Sequence, residues 1–170
     1  MGSGRLCGAI ATLCMKRRMI TKNDNDNEKP FHVSCHQEFE NMVIDNKILD
    51  ELTAKAKDNP CLRQAMDLRN SPEDLSQRML NALEPGTVMP IHRHKTTSET
   101  CICIRGHFEE YFYDDKGNLT DTIDMVPGGV VLNIEKGQWH SLKCLESGTV
   151  IMEVKDGAYQ PLSPEDIMEV

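Results

Sequence analysis

The sequence has neither the excess of basic residues typical of nucleic-acid-binding proteins nor the long apolar runs typical of membrane proteins. Its 170 residues include 19 Lys and Arg against 27 Asp and Glu, which gives a net charge of −8. A nucleic-acid-binding protein usually presents a basic face, so this balance argues against that role. No apolar run reaches the roughly 20 residues of a membrane span, and the mildly apolar stretch 6–15 precedes its basic residues instead of following them, unlike a secretory signal. We therefore expect a cytoplasmic protein with no nucleic-acid or membrane partner.

Cysteine pairs with metal-binding or redox spacing are also missing. The seven cysteines are an odd number, and none lies in a CxxC pair. This usage predicts reduced thiols and no disulfide framework. Cys101 and Cys103, two apart on one predicted strand, are expected to be small buried hydrophobic side chains, with lining of a cavity as the alternative.

What the sequence does contain is enough apolar material for one folded domain. Hydrophobic residues make up 39% and charged residues 27% of the chain, which is typical of a globular protein. We predict a poorly ordered extension over residues 1–44, whose first 20 residues could come from an over-called reading frame. A helical segment over 45–75 then packs on a barrel over 76–160, and 161–170 form a tail.

Helical periodicity is confined to the segment before the barrel. In DNKILDELTAKAKDNP, the apolar residues Ile48, Leu49, Leu52 and Ala56 recur at helical spacing, and Asn59-Pro60 ends the run. CLRQAMDLRN, residues 61–70, predicts a second short helix.

After Gln77 the pattern changes to short strands separated by turns that contain glycine. About eight such strands predict an antiparallel sandwich or barrel. DDKGN, residues 114–118, is the clearest hairpin turn. The predicted strands are RMLNAL, VMPIHRH, TCICIR, FEEYFY, LTDTIDM, VVLNI, HSLKCL and TVIMEV.

Three histidines and one glutamate are spaced so that they could bind a metal ion. On a strand, His92 and His94 project from the same face, about 6–7 Å apart along the chain. The turn after them lets the next strand bring Glu99 beside them, and His140 would come from a facing strand. Three imidazoles and a carboxylate suit Fe, Mn, Ni, Cu or Zn and leave one or two coordination positions open.

The spacing of these residues is similar to the two motifs of the cupins. The resemblance implies a mainly β, antiparallel cupin barrel (a jelly roll or double-stranded β-helix) with a short N-terminal helical segment. It also implies one divalent transition metal (Fe, Mn, Ni or Zn) bound by His92, His94, Glu99 and His140. The first motif is Gly86-x5-His92-x-His94-x4-Glu99-x6-Gly106, and the second is Gly129-x5-Glu135-x-Gly137-x2-His140, with Glu135 in place of the usual proline.

A narrower resemblance covers residues 48–159. The segments ILDELTAKAKDNPCLRQ, QRMLNALEPGT, PIHRHKTTSET, DDKGNL, KGQWHSL and EVKDGAY resemble the WbuC-type cupin-fold metalloproteins. These small bacterial proteins are often encoded among surface-polysaccharide genes. The chain departs from them at Arg69, where the family usually has histidine, and in its tail PLSPEDIMEV.

Three further charged residues are candidates for the substrate site. Arg78, Glu153 and Lys155 could reach the barrel mouth and bind a sugar or a carboxylate. The alternative is that Glu153 and Lys155, two apart on one strand, form an exposed pair that contributes little. Arg93, between the two histidines, must point away from the metal.

The reaction is less constrained than the site. One hypothesis is a metal-dependent enzyme of oxygenase, isomerase or lyase type acting on a small polar molecule, with Glu99 as a candidate base. Another is a non-catalytic, metal-stabilised module that binds a sugar or nucleotide-sugar or acts in regulation. A metal-free epimerase is disfavoured because His92, His94 and Glu99 are all in place for a metal. A small-molecule ligand is the expected partner, and assembly into a homodimer is an alternative that the sequence does not decide.

Overall fold

The structure is a computed structural model that describes residues 41–169. The N-terminal extension and the over-called reading frame predicted above lie outside these residues, except for the exposed residues 41–44, which form no helix or strand. The elements are α1 (Asn46–Asp58), β1 (Arg63–Asp67), β2 (Ser76–Leu83), β3 (Glu99–Arg105), β4 (Phe108–Tyr113), β5 (Leu119–Met125), β6 (Val131–Ile134), β7 (Trp139–Cys144), β8 (Thr149–Asp156) and a 3-10 turn (Pro164–Asp166).

Helix α1 forms where the periodicity predicted it. The side chain of Asp45 accepts a hydrogen bond from the backbone N–H of Ile48 at 3.1 Å, which caps the first turn. Leu49, Leu52 and Ala56 form the buried face of the helix. This face packs on the outer side of the larger sheet, against Leu80, Ala82 and Val150.

The second predicted helix, over residues 61–70, is wrong. Those residues form strand β1, which pairs antiparallel with β2, with Met66 opposite Leu80. Met66 packs into the same apolar cluster as α1. Short apolar runs fit either a helix or a strand, and here pairing with a neighbouring strand decides between them. The sheet therefore begins before residue 76, where we placed the start of the barrel.

The two sheets are antiparallel throughout. One has five strands in the order β1-β2-β8-β3-β6, and the other has three in the order β5-β4-β7. Seven of the eight predicted strands are present, and 114–118 forms the hairpin turn between β4 and β5. The exception is 88–94, which is extended but pairs only through His92. The mainly β, antiparallel fold with a short helix is confirmed.

The core lies between the two sheets and changes character along their length. Phe108, Met125 and Leu142 from the small sheet meet Leu83 and Ile151 from the large one. Because side chains alternate along a strand, residues at steps of two from these also face inward. Those further residues are mostly polar or charged and include Asn81, Glu110, Glu153 and Lys155. Glu99 joins them, two residues before Cys101 in the same core.

Two turn and core predictions can be checked residue by residue. Gly106, which follows β3, has φ +82°, a conformation that favours glycine. A Cβ added there would lie 2.7 Å from the Cα of Thr149, so no larger residue fits. Cys101 and Cys103 are free and buried in the core, as predicted. Cys61 is disulfide-bonded, so the prediction that all seven cysteines are reduced is wrong at that position.

Candidate metal centre

The segment that carries His92 and His94 is held directly against β7, which carries His140. The backbone N–H of His92 donates to the carbonyl of His140 at 2.9 Å, and the reciprocal bond is 2.8 Å. The carbonyl of His94 accepts from the N–H of Gly137 at 2.7 Å. These backbone bonds bring together histidines that are more than forty residues apart in sequence.

The three imidazoles converge on one point. One ring nitrogen from each lies within 4.8 Å of the others. Nδ1 of His92 lies 3.0 Å from the carbonyl oxygen of Pro90, and Nδ1 of His140 lies 2.9 Å from that of Gln138. An Nδ1–H that donates to a carbonyl leaves the lone pair on Nε2, which is the arrangement of a metal-binding histidine.

Burial keeps these imidazoles neutral, which is the form that coordinates a metal. Burial, and secondarily repulsion from His140, lowers the pKa of His92 to about 3. Burial likewise lowers the pKa of His140. At neutral pH both rings are therefore ready to act as ligands without first losing a proton.

Glu99 lies beside the histidines but is also bound to a lysine. Its Oε2 is 3.1 Å from Nε2 of His94 and 2.9 Å from Nζ of Lys155. Lys155 is the residue directly opposite Glu99 in the β3–β8 pairing, and its Nζ lies 3.1 Å from Nε2 of His94. Burial alone would raise the pKa of Glu99, but the contacts with His94 and Lys155 outweigh it and lower the pKa, so the carboxylate is ionised.

The residues fit a divalent metal by their own chemistry. Oε2 of Glu99 is buried and, despite its two ion-pair contacts, has no hydrogen bond of acceptable geometry. The Lys155 ammonium at 2.9 Å already balances the charge of this carboxylate, and the oxygen keeps lone pairs that a metal ion could accept. Three neutral imidazole nitrogens next to that oxygen form the nitrogen and oxygen donor set that first-row transition metals prefer.

Comparison with known proteins gives a family model and structural relatives. A family model described as a domain of unknown function, DUF6016, matches residues 44–125. No curated protein matches the chain. The chain is similar in structure to the capsular polysaccharide assembling protein CapF from Staphylococcus aureus, with 18% identity and a TM-score of 0.50 over 58% of this chain and 27% of CapF.

Two other solved structures are similar at lower TM-scores. KdgF from Halomonas sp. has 15% identity and a TM-score of 0.49 over 59% of this chain and 84% of its own. The cupin domain of Cnp3 from Schizosaccharomyces pombe has 15% identity and a TM-score of 0.46 over 57% of this chain and 61% of its own. At such identities the likeness concerns the fold. The two antiparallel sheets and the short helix of residues 41–169 are consistent with the predicted cupin barrel.

The two cupin motifs supply opposite sides of the centre. The first motif brings His92, His94 and Glu99 from the extended segment and the start of β3, and the second brings His140 from β7. The predicted ligands thus lie together. Among residues 41–169, the group of possible ligand atoms within 4.8 Å of one another contains His92, His94 and His140 but not Glu99, which lies beside His94.

The predicted substrate residues divide between two faces. Glu153 and Lys155 face the interior; the side chain of Lys155 is 13% exposed, so the alternative of an exposed surface pair is wrong. Arg78 faces the outer side, where its guanidinium pairs with Asp74 at 3.0 Å. The structure therefore does not bring Arg78 to the other candidates, because β2 alternates and Arg78 shares the face of Leu80.

Sequence reasoning missed Glu110, a further interior carboxyl. It is 2% exposed, and burial, with repulsion from Glu99 and Glu153, raises its pKa well above the ordinary value. Burial, with repulsion from Glu99, also raises the pKa of Glu153 to about 7, and that side chain accepts a hydrogen bond from Asn81 at 2.8 Å. The alternation of FEEYFY could have indicated Glu110, because it shares a face with two phenylalanines.

Arg93, predicted to point away from the metal, does so. The guanidinium of Arg93 lies 4.3 Å from the centre of the Trp139 ring on the outside of the site. Trp139 is buried and donates from Nε1 to Asp115 at 3.0 Å. His107 is one-third exposed and pairs with Asp124, away from the three histidines. Among the residues from 41 to 169, no helix is both long and apolar enough to cross a membrane.

Proposed function

We propose that this protein is a metal-binding cupin that holds one divalent transition metal with His92, His94 and His140. Glu99 is the fourth ligand. The observation that carries the proposal is the convergence of three ring nitrogens within 4.8 Å of one another. Burial and carbonyl partners that favour neutral imidazoles with free Nε2 lone pairs support it. Fe, Mn, Ni and Zn all suit this donor set.

The site is proposed to act on, or bind, a small polar molecule. When bound, a divalent metal would supply Lewis-acid chemistry, polarising a substrate oxygen. Lys155 would orient that substrate by donating from its ammonium, while Glu99, which is ionised, is the candidate base. Glu153 and Asn81, paired at 2.8 Å, offer a carboxyl and an amide that can bind hydroxyl groups.

A sugar or nucleotide-sugar is the proposed substrate class, in a cytoplasmic surface-polysaccharide context. The WbuC-type resemblance supports this context. CapF, named as a capsular polysaccharide assembling protein, shares the fold with this chain. Oxygenase, isomerase and lyase reactions are all compatible with the residues.

A non-catalytic, metal-stabilised sugar-binding or regulatory module is the second candidate. It is favoured by the position of Lys155, whose Nζ lies 3.1 Å from His94 and 2.9 Å from Glu99. An ammonium group this close to the ligands narrows the space in which a substrate could reach the metal. A screen of nucleotide-sugars and small acids separates the two: turnover indicates the enzyme, and binding without turnover indicates the module.

The metal assignment is tested by elemental analysis of protein never exposed to chelator and of protein reloaded with Fe, Mn, Ni or Zn. We expect close to one ion per chain. His92→Ala and His140→Ala should each lower occupancy at least tenfold, because each removes a direct ligand. His107→Ala is the matched control and should keep wild-type occupancy. No metal in any preparation, or equal loss in the control, would contradict the proposal.

A further inference from the structure

The segment with two of the proposed ligands has a second neighbour besides β7. On its other side lies the C-terminal brace, defined here as residues 163–168. The backbone N–H of Arg93 donates to the carbonyl of Asp166 at 3.1 Å, and that of Met168 donates to the carbonyl of Ile91 at 2.9 Å. His92 thus forms bridges both to His140 and to Ile167. The ligand segment is the middle strand of a small three-stranded arrangement.

The side chain of Asp166 forms ion pairs with Arg93 and Lys95 of the same segment. Its Oδ1 lies 3.3 Å from Nε of Arg93 and 3.1 Å from Nζ of Lys95. Its Oδ2 accepts a hydrogen bond from the hydroxyl of Ser163 at 2.7 Å. The Asp166 side chain is only 16% exposed, so these contacts are shielded from solvent more than those of an ordinary surface ion pair.

These contacts bear on the metal site because the segment is extended. In extended backbone, Arg93 points to the side opposite its neighbours His92 and His94. Lys95 lies in the bend that follows, and its ammonium reaches the same oxygen of Asp166. A rotation of the segment about its own axis, or a slip by one residue, would turn both imidazoles away from His140. One carboxylate that holds both flanking cations opposes either movement, and Arg93 is further held by its stacking on Trp139, the neighbour of His140.

The geometry points to Asp166 as a positioning residue that sets the orientation of His92 and His94 toward the metal. The C-terminal brace is accordingly a working part of the metal centre. Groups that hold metal ligands in place change metal affinity by about 10–100-fold when they are mutated. This inference rests on the proposed metal binding, and it assigns a role to a tail that the cupin motifs do not include.

The test compares Asp166→Asn with Glu165→Gln, using the binding of Co²⁺ and Ni²⁺ to full-length protein. Glu165 is a matched control because it also contacts Lys95, at 3.1 Å, but is 74% exposed and does not reach Arg93. We expect Asp166→Asn to weaken metal affinity about tenfold and to shift the absorption bands of bound Co²⁺, which report ligand geometry. Glu165→Gln should change affinity less than about twofold. The melting temperature of the metal-free protein is measured alongside.

Two results would overturn the inference. One is wild-type affinity and a wild-type Co²⁺ spectrum in Asp166→Asn, with or without a lower melting temperature. The other is an equal effect of Glu165→Gln. A metal-independent measurement separates this inference from the proposed function: amide hydrogen exchange at Arg93 in chelated protein should be faster in Asp166→Asn than in wild type. If wild type binds no metal, the proposed function fails, and the exchange result still decides whether Asp166 holds the segment.

Discussion

At the scale of single residues, the Glu99 carboxylate is a partner both for Lys155 and for the proposed metal ion. It faces the histidine cluster, yet Lys155 from the opposite strand position already pairs with it at 2.9 Å. In the metal-free protein the lysine compensates a buried negative charge. A bound metal ion would take over part of that role, and the ammonium would then lie beside a second cation. Lys155 should therefore favour the metal-free state relative to the metal-bound state.

Replacing Lys155 should make the protein more dependent on its metal. Loss of one partner of a buried pair typically destabilises by about 3–5 kcal/mol, so we expect Lys155→Met to lower the melting temperature of chelated protein. The stabilisation on adding metal should be larger than in wild type, because the ion compensates Glu99. Thermal melts with and without chelator measure both. Lys143→Met, an exposed lysine on β7, is the control and should change neither. A metal-induced gain no larger than that of wild type would contradict this account.

Individual residues of the site differ in how far sequence could predict them. His92, His94, Glu99 and His140 obey a fixed spacing, because strand alternation and turn length leave a local pattern. Asp166 has no such pattern: its contacts depend on where the tail crosses the barrel. Arg78 was misplaced because its face of β2 is covered by α1, a packing that spacing alone does not show.

At the scale of elements, α1 and the candidate metal centre lie on opposite sides of the large sheet. The helix packs on the outer face through Leu49, Leu52 and Ala56. The histidines and Glu99 lie on the inner side. The helix was predictable from its periodicity and its asparagine-proline stop, whereas β1 was not. A five-residue strand whose one packed side chain, Met66, is only partly buried becomes distinct from a helix through its pairing with β2.

This separation predicts that stability and metal binding can be changed independently. Leu52 is 3% exposed, and Leu52→Ala should destabilise by about 2–5 kcal/mol through lost burial and the cavity left behind. Metal occupancy of the folded variant should equal that of wild type. Urea denaturation in the presence of chelator gives the first quantity and elemental analysis the second. Glu51→Ala, on the exposed side of the same helix, serves as the control. Reduced occupancy in Leu52→Ala would show that the helix is coupled to the site.

At the scale of the whole molecule, the two sheets bring an excess of acidic groups into one interior. Glu99 and Glu153 come from the large sheet and Glu110 from the small one, with Lys155 as the interior cation beside Glu99. The raised pKa values of Glu110 and Glu153 reflect burial and this mutual repulsion. A divalent cation would relieve it. The charge balance could not be read from the net charge of the chain, because it depends on which acidic residues face inward.

The pH dependence of stability should therefore differ between metal-bound and metal-free protein. Below its free value of about 6.5, His92 binds a proton in the unfolded chain but not in the folded one until about pH 3, so its contribution falls as pH falls. Glu153 acts oppositely: between about 4.3 and about 7 the folded state holds the proton, so its contribution falls as pH rises. The two effects oppose each other between about pH 4.5 and 6.5, which should leave the metal-free curve shallow there.

The contribution of the metal to the free energy of unfolding can only decrease as pH falls, because coordination requires unprotonated imidazoles. Stabilisation by the metal should be complete at pH 8 and should shrink only when pH falls toward the lowered pKa values of His92 and His140, where protons compete for these rings. Melting temperatures of metal-loaded and metal-free protein from pH 8 to about 3 should converge only toward the acid end, as pH approaches the pKa of His92. No difference at pH 8 would mean that the metal does not favour the folded state. We expect the metal-free barrel to fold, because it has its own apolar core. Loss of folding on chelation would instead show that the ion is structural.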